Sequence, residues 1–279
     1  MRVQQLSRRL AAACPRVEIS ICPIQSPDVR AIKDSLVIVT KSVLRDPDWL
    51  ANVSQACNIL LADYVDGTHN DETDSLIDGF LCASAVEHQW IGSNLRKPSF
   101  LVPHAIDDRL FHHTRGGLKP KFSCGYFGHP ENGFAVRELE RLGLVDVFDT
   151  TVELAQDIES SEWARGLSGV SAHYIARPPG GVEVGRFKPF TKGFTAAFFN
   201  SVAISGRWDD ESVYWLGADY PFHVNSANLS SVGSTIRECR EKWELDGCSE
   251  VQDLFKTLRQ RSCPVQNSLD CFSALNYFD

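Results

Sequence analysis

The stretch NILLADYVDGTHNDETDSLIDGFLCASAVEHQWIGSNLRKPSFLVPH (58–104) decides the fold. Its three apolar runs, NILLADY (58–64), GFLCAS (79–84) and SFLVPH (99–104), are rich in Ile, Leu and Phe, and each ends at a polar or turn residue. A segment with helical spacing, 85–91, separates the second run from the third. Short apolar runs of this kind are typical of buried parallel strands. The alternation predicts an α/β fold built on a doubly wound sheet.

The same alternation extends toward the N-terminus. VEISI (17–21) and SLVIVT (35–40) predict two further strands. The helical pattern at 46–55 begins with an Asp-Pro pair, in which the Asp is suited to cap the helix and the Pro to fill its first position. Another helical pattern covers 3–13.

A second α/β series follows the polar stretch HHTRGGLKPK (112–121), where a Gly pair and a Pro interrupt the pattern. The expected strands are FSCGYFG (122–128), VDVFDTT (145–151), GVSAHYIA (169–176), SVAISG (201–206) and YPFHVN (220–225). Helical spacing occurs at 135–142, at 191–199 and in the tail from 230 to 260. The chain is therefore expected to form two domains, 1–112 and 113–279, with the terminal helices in the second.

Composition excludes several classes of protein. Over 279 residues the net charge is −8 and the pI is near 5.5, so there is no global basic field for nucleic acid. A nucleic-acid partner is thereby disfavoured but not excluded, and a DNA-glycosylating role has no support from the charge. The nine cysteines include no C-x-x-C pair, so neither a disulfide framework nor a zinc site is predicted, and we expect a reducing cytoplasmic location. Since no run of about 18 apolar residues occurs, no membrane span is expected.

The stretch VPHAIDDRLF (102–111) ends a predicted strand just before the polar interruption. It resembles the interdomain signature of GT-B glycosyltransferases, in which a strand ends in V-P-x-G-(I/V)-D and a Phe follows within a few residues. The matching residues are Val102, Pro103, Ile106, Asp107 and Phe111. Ala105 stands where that signature has Gly, which demands a less permissive backbone.

The stretch CGYFGHPENG (124–133) lies where GT-B enzymes begin their nucleotide-binding domain. Gly125 and Gly128 end a strand before a helix, which leaves backbone N–H groups to face a phosphate. His129 stands where a basic residue often lies in that family.

The longest match is RFKPFTKGFTAAFFNSVAISGRWDDESVYWLGADYPF (186–222). It resembles the donor-side helix, strand and loop of glycogen-synthase-like GT-B enzymes, and in particular a K-P-x-T-K variant of rhamnosyltransferase-like members. The matching residues are Lys188, Pro189, Thr191, Lys192, Thr195, Ala196, Ala197, Asn200, 202–205 and Glu211. The family's paired glutamates, expected at 187 and 195, are Phe187 and Thr195. The usual ribose-binding carboxylate is therefore missing, so Glu211 or a backbone group takes that role, or donor binding is altered or lost.

The resemblance implies a GT-B fold, in which two Rossmann-like domains face each other across a cleft. The N-terminal domain then holds the acceptor and the C-terminal domain the nucleotide sugar. The implied reaction moves a hexosyl or deoxyhexosyl group from a nucleotide-diphosphate sugar to an acceptor hydroxyl, with neither a metal nor another cofactor. Basic side chains stabilise the leaving diphosphate in such enzymes, and Lys188 and Lys192, with Arg186 or Arg177, suit that role. The implied donor-binding residues are Gly128, His129, Lys188, Thr191, Lys192, Thr195 and Glu211.

Candidates for proton transfer lie in the first domain. Asp66 and His69 follow the strand 58–64, and His104 follows Pro103. An inverting transferase needs a carboxylate or His to accept the proton of the acceptor hydroxyl, whereas a retaining one does not. Strand-end acids also form turns and caps, and the spacing ranks none of these residues above the others.

Two other functions remain open from the sequence. A degenerate GT-B protein binds a nucleotide sugar or a glycan without turnover, as the missing glutamate pair suggests. A nucleotide-sugar epimerase shares the fold and the donor but needs no acceptor. Turnover of the donor separates the first from a transferase, and formation of an epimer from the donor alone identifies the second.

Overall fold

The computed structural model describes residues 2–22, 32–41, 43–113, 121–150, 162–180 and 185–278. The chain forms two compact units. The first unit comprises Met1–Ala105, Val182–Pro189 and Cys263–Asp279, and the second comprises Ile106–Gly181 and Phe190–Ser262. Each unit is α/β with one parallel sheet, in the manner of a Rossmann-like domain, which confirms the expected fold class at that level.

The elements of the described chain are as follows. The strands are β1 (Leu36–Thr40), β2 (Ile59–Asp63), β3 (Gly79–Cys82), β4 (Ser99–Leu101), β5 (Cys124–Phe127), β6 (Asp146–Phe148), β7 (Ala172–Tyr174), β8 (Val202–Gly206) and β9 (His223–Val224). The helices are α1 (Arg2–Ala13), α2 (Pro47–Ala56), α3 (Asp71–Ser75), α4 (Ala85–Asn94), α5 (Val136–Arg141), α6 (Glu162–Gly169), α7 (Thr191–Phe198), α8 (Asp210–Leu216), α9 (Leu229–Asp246), α10 (Gln252–Arg261) and α11 (Pro264–Asn276).

The first unit has four parallel strands in the order β1-β2-β3-β4. Because the sheet grows in one direction, right-handed connections leave their helices on one face. Leu60 and Ala62 of β2 accordingly share a core with Leu50 of α2. Leu61, which points to the other face, shares a core with Leu6 of α1 and with α11. The order of the described strands in this unit does not reverse, so the expected doubly wound sheet is wrong for the part of the unit that the structure describes.

Helix α11 belongs to the first unit, which corrects its expected place in the second. It packs against α1, and its buried Cys271 and Ala274 lie in the same core as Leu61. Beyond its end, the ring of Phe278 lies so close to Gly79 that a Cβ added to the glycine would stand 2.8 Å from it. Helix α11 packs here because α2, α3 and α4 leave the other apolar face of the first sheet uncovered, and α1 and α11 together cover that face.

The stretch VEISI (17–21) forms no strand, contrary to expectation. Val17 and Ile21 are 52% and 54% exposed, while Ile19 packs against the core that α1 and α11 share. An alternating pattern shows that a segment suits a sheet, but the backbone pairs only where a neighbouring strand is available. The other four expected strands of this unit, and the helix that Asp46 caps at the N–H of Trp49, are confirmed.

The second unit has five parallel strands in the order β6-β5-β7-β8-β9. The chain moves outward from β5 to β6 and then returns to β7 on the opposite side of β5, so this sheet is doubly wound as expected. In such sheets, ligands bind where the strand order reverses, outside the carboxyl ends of the strands. The point of reversal lies between β5 and β7.

The boundary between the units lies near Ala105 rather than at 112, and the chain returns to the first unit for Val182–Pro189. Residues 114–120 of the expected linker lie outside the described residues. A polar interruption marks where a chain leaves one core, but contacts made far along the chain decide which core a segment joins.

Candidate functional site

Gly128 and Lys192 meet at the carboxyl end of β5. Gly128 directly follows the strand and has a φ of +137°, a conformation that favours glycine. A Cβ added at this position would stand 3.1 Å from the Nζ atom of Lys192. The ammonium group also lies over the ring of Tyr126, 3.9 Å from its centroid. The structure therefore brings together two of the residues that sequence reasoning assigned to donor binding.

Helix α7 carries Lys192 in its first turn, directly after Thr191. The residue before the helix is Phe190, which has no polar side-chain atom to cap it, and the first turn contains no acidic residue. The buried rings of Phe190 and Phe194 fix this end of the helix in the core of the second unit. A helix start with a lysine and no acidic side chain favours an anion, because the helix dipole and the ammonium charge have the same sign there.

Arg177 adds a second cation at the point of strand reversal, three residues beyond β7. Its Nη1 atom lies 3.5 Å from Oδ2 of Asp209, and its carbonyl accepts a hydrogen bond from Trp208. Burial raises the pKa of Tyr126, and the nearby charge of Arg177 opposes that rise. Arg177 and Lys192 thus both act on Tyr126, at the edge where a diphosphate is expected.

Three other predicted donor residues have local hydrogen-bond partners. His129 is exposed and accepts a hydrogen bond from the backbone of Glu131 through Nδ1, at 3.2 Å. The hydroxyl of Thr195 donates to the carbonyl of Thr191, one turn earlier in α7, at 2.8 Å. Glu211 of α8 is 4% exposed.

The Oε1 atom of Glu211 accepts a hydrogen bond from the indole of Trp215 at 2.8 Å. The expected role of Glu211 in binding the donor ribose stays a prediction.

Lys188 lies in the first unit, whereas Lys192 lies in the second. The structure therefore assigns the two expected donor lysines to different units. The charge of Lys188 acts on Asp66, which follows β2.

Asp66 is ion-paired and is disfavoured as a proton acceptor. Its Oδ1 atom lies 2.5 Å from Nζ of Lys41, and its carbonyl accepts a hydrogen bond from Nε of Arg186 at 2.9 Å. Partial burial alone would raise the pKa of this carboxyl, but the Lys41 hydrogen bond and the charges of Lys41, Lys188 and Arg186 hold it below its usual value. A carboxylate with a lowered pKa is a weak base at neutral pH.

His69 is buried between two carboxylates, which disfavours it as a proton acceptor, and its expected catalytic role stays a prediction. Its Nδ1 lies 3.1 Å from Oδ2 of Asp74, and its Nε2 lies 3.1 Å from Oε1 of Glu87. Burial alone would lower the pKa of His69, but hydrogen bonds to Asp74 and Glu87 raise it to about 9. A histidine that donates through both ring nitrogens has no lone pair with which to take a proton from a substrate.

Aromatic rings enclose the His69 side chain. The ring of Tyr64 stacks on it at 3.9 Å, and those of Trp90 and Phe187 lie 5.1 Å and 6.0 Å away. The hydroxyl of Tyr64 donates to Asp74 at 2.6 Å. Phe187, at a position where the GT-B resemblance expects a glutamate, therefore has a packing role in the first unit.

Sequence reasoning missed Glu87. Burial raises the pKa of this carboxyl to about 7, and its Oε2 atom is buried with no hydrogen-bond partner in the described structure. The missed signal is Ser84-Ala-Val-Glu87, the S-x-x-E pattern that begins a helix, and the backbone of Glu87 does donate to the Ser84 hydroxyl.

His104 follows β4 and is half-buried, with its backbone N–H donating to the carbonyl of Ala83 at 3.4 Å. Beside it, the guanidinium of Arg2 donates to the carbonyls of Val102 and Pro103 and to the buried carboxylate of Asp63. Sequence reasoning did not assign Arg2. His104 stays a predicted catalytic residue.

A separate cavity of about 450 Å³ lies beside the edge strand β6. Its lining includes Glu140, Asp146, Asp149 and Trp163. None of the catalytic or donor-binding residues predicted from the sequence lines this cavity.

The described part of the chain contains no group of three or more His, Cys, Asp or Glu side chains placed to hold a metal ion. None of its described helices is long and apolar enough to cross a membrane. All nine cysteines are free thiols. A scan against protein-family models and a search of curated proteins found no match to this chain.

Proposed function

We propose that this chain is a GT-B glycosyltransferase that moves a sugar from a nucleotide-diphosphate sugar to an acceptor hydroxyl. The second unit binds the donor at the carboxyl ends of β5 and β7. Lys192 and Arg177 face the diphosphate, and the first turn of α7 supports it. The reaction is proposed to need no metal, because the two cations supply the charge that stabilises the leaving diphosphate.

The observation that carries this proposal is the contact between Gly128 and Lys192. The glycine leaves room for the ammonium at the point of strand reversal, which is where doubly wound sheets bind their ligands. The pair also unites two motifs that are 64 residues apart in the sequence, and the resemblance assigns both to the donor.

The test measures thermal stabilisation of the full chain by UDP, GDP, ADP, CMP and dTDP, with the nucleosides as controls. A ligand that binds only the native state raises the melting temperature. One nucleoside diphosphate is expected to stabilise the protein where its nucleoside does not. Lys192→Ala is expected to weaken that binding roughly ten- to hundredfold, since a charge-assisted hydrogen bond to phosphate is worth about 1.5–3 kcal/mol.

Lys256→Ala is the matched control, because Lys256 is an exposed lysine of the same unit. It is expected to bind the nucleotide as the parent does. A folded Lys192→Ala variant with unchanged affinity would remove this lysine from the site and contradict the proposal.

A binding protein without turnover is the second candidate. Phe187 and Thr195 favour it, since the ring of one packs against His69 and the hydroxyl of the other bonds within α7. Neither replaces the carboxylates of the glutamate pair. Release of free sugar from the matching nucleotide sugar, measured with and without a mixture of glycan acceptors, decides between the two: turnover supports the transferase, and binding without turnover supports the second candidate.

A further inference from the structure

Two strained residues lie at the carboxyl edge of the first sheet. Lys41 directly follows β1 with a φ of +36°, and Val65 lies two residues beyond β2 with a φ of +59°. Non-glycine residues rarely adopt this region, and a β-branched residue does so at a real cost. Such strain tends to occur where the backbone places functional side chains. Here the strained residue Lys41 forms an ion pair with Asp66, the residue that follows the strained Val65.

Cations surround Asp66. Its carboxylate faces Lys41, whose side chain is 51% exposed, and the charges of Lys188 and Arg186 act on it as well. Nε of Arg186 donates to the carbonyl of Asp66, which fixes the guanidinium at this edge. Three cations therefore meet one carboxylate, in a protein whose net charge is −8.

The segment that carries Arg186 is fixed by the side chains around His69, which we call the His69 cluster: His69 itself, Tyr64, Asp74, Glu87 and Trp90. Gly185 accepts a hydrogen bond from the backbone of His69 at 2.9 Å, and Arg186 forms an antiparallel bridge with Thr68. Phe187 packs against the rings of His69 and Trp90. Arg186 and Lys188 act instead on Asp66: Nε of Arg186 donates to its carbonyl, and the charges of both residues act on its carboxylate. The contacts with His69 thus anchor a segment whose cations act on Asp66.

We propose that the first unit has an anion-binding site of its own, in which Lys41 and Arg186 bind a phosphate or a carboxylate of the acceptor. This identification of the acceptor rests on the proposed transferase function, whereas the binding of an anion does not. Arg186 offers the planar fork that suits an oxyanion, and Lys41 offers a compact charge at the solvent side. Asp66 is the internal counterion: it holds Lys41 in place and competes with the ligand for it.

The test titrates inorganic phosphate into the full chain carrying Lys192→Ala, which removes the proposed donor contact. Phosphorus NMR line width reports binding at constant ionic strength. Adding Lys41→Ala is expected to weaken binding about tenfold, as the loss of one charge-assisted hydrogen bond commonly does. Adding Asp66→Asn instead is expected to strengthen binding, because the competing carboxylate is gone. An acetate titration, followed by competition with phosphate, shows which of the two groups the site prefers.

Lys33→Ala is the matched control, since Lys33 is an exposed lysine of the same unit. It is expected to bind phosphate as its parent does, and a Lys41→Gln variant repeats the Lys41 result with a polar side chain retained. Equal binding with and without Lys41→Ala overturns the proposal. Loss of all anion binding on Lys192→Ala alone also overturns it, because the anion then binds in the second unit. No step of this test needs turnover, so its failure is distinct from failure of the transferase proposal.

Discussion

At Gly128 the absence of a side chain has a specific physical use. Gly128 has a φ of +137°, and the ammonium of Lys192 lies 3.1 Å from where a Cβ atom of this residue would be. Sequence reasoning identified both residues, because a glycine at a strand end and a lysine at a helix start are local signals. It did not predict their contact, since that depends on how α7 packs against β5.

Gly128→Ala is expected to abolish nucleoside diphosphate binding and to lower the free energy of unfolding by about 1–2 kcal/mol. The added methyl group would displace Lys192 as well as strain the backbone. Calorimetric titration with the nucleotide measures the first effect and urea unfolding the second.

Gly143→Ala is the control, because Gly143 has a φ of +65° but nothing within 4 Å of an added Cβ. The Gly143→Ala variant has a strained backbone, but its added Cβ touches no other side chain, so it is expected to lose stability and to keep nucleotide binding. Equal binding by both alanine variants would show that the space beside Gly128 does not matter to the ligand.

The His69 cluster shows contacts that residue-level prediction does not reach. A histidine after a strand end is a reasonable catalytic candidate, and only tertiary packing reveals that Asp74 and Glu87 occupy both of its nitrogens. Its partners lie 5 and 18 residues away in the sequence, on two different helices. No local pattern links the three.

The cluster makes stability depend on pH. The native pKa of His69, raised to about 9, exceeds its ordinary value, so its stabilisation is complete below about pH 6.5 and is lost as pH rises through 9. Glu87, whose pKa is raised to about 7, acts in the same direction, because the native state holds its proton more tightly than the unfolded chain does. The free energy of unfolding is therefore expected to fall from about pH 4.5 to 9, first over the Glu87 range up to pH 7 and then over the His69 range, by on the order of 2 kcal/mol.

Urea unfolding at several pH values measures this slope. The double variant His69→Gln with Glu87→Gln removes both titrating groups and should flatten it, while His112→Gln, at an exposed position, should keep it. A double variant with the parental slope would assign the pH dependence to other groups.

At the scale of elements, local sequence pattern predicted most strands because a buried strand must be apolar along its length. It failed for VEISI, which has the pattern but pairs with none of the described strands, and for the placement of α11. An amphipathic helix shows that it has a buried face, but its sequence does not say which sheet covers that face. The residue that shows where α11 packs is Leu61 of β2, whose side chain lies on the face of the sheet opposite the helices that connect the strands.

Adjacent residues of α11 give a direct test. Cys271 is 1% exposed and lies in the core of the first unit, whereas Phe272 is 40% exposed. Cys271→Asp is expected to lower the free energy of unfolding by about 3 kcal/mol, because it buries a carboxyl among apolar side chains. Phe272→Asp is expected to change it by less than about 1 kcal/mol. Similar losses for both, measured by urea unfolding, would contradict the packing of α11 on α1.

At the scale of the whole molecule, the chain passes between its two units more than once. Sequence reasoning found two α/β series and placed the break within several residues of the first crossing. The stretch RPPGG (177–181) directly precedes the return of Val182–Pro189 to the first unit, but composition does not say which core a segment joins. For this segment and for the C-terminal one, long-range contacts decide it. The two expected lysines were consequently assigned to one site, although the structure places them in different units.

Hydrogen exchange of the full chain with and without the stabilising nucleoside diphosphate tests the central claim most directly. The claim is that the donor binds in the second unit, at the carboxyl ends of β5 and β7. Binding there is expected to slow exchange in peptides that cover 125–133 and 190–198, and to leave those of β6 and α5 unchanged. Protection confined to the cavity beside β6, or bound nucleotide with no protection at Gly128 and Lys192, would contradict the claim.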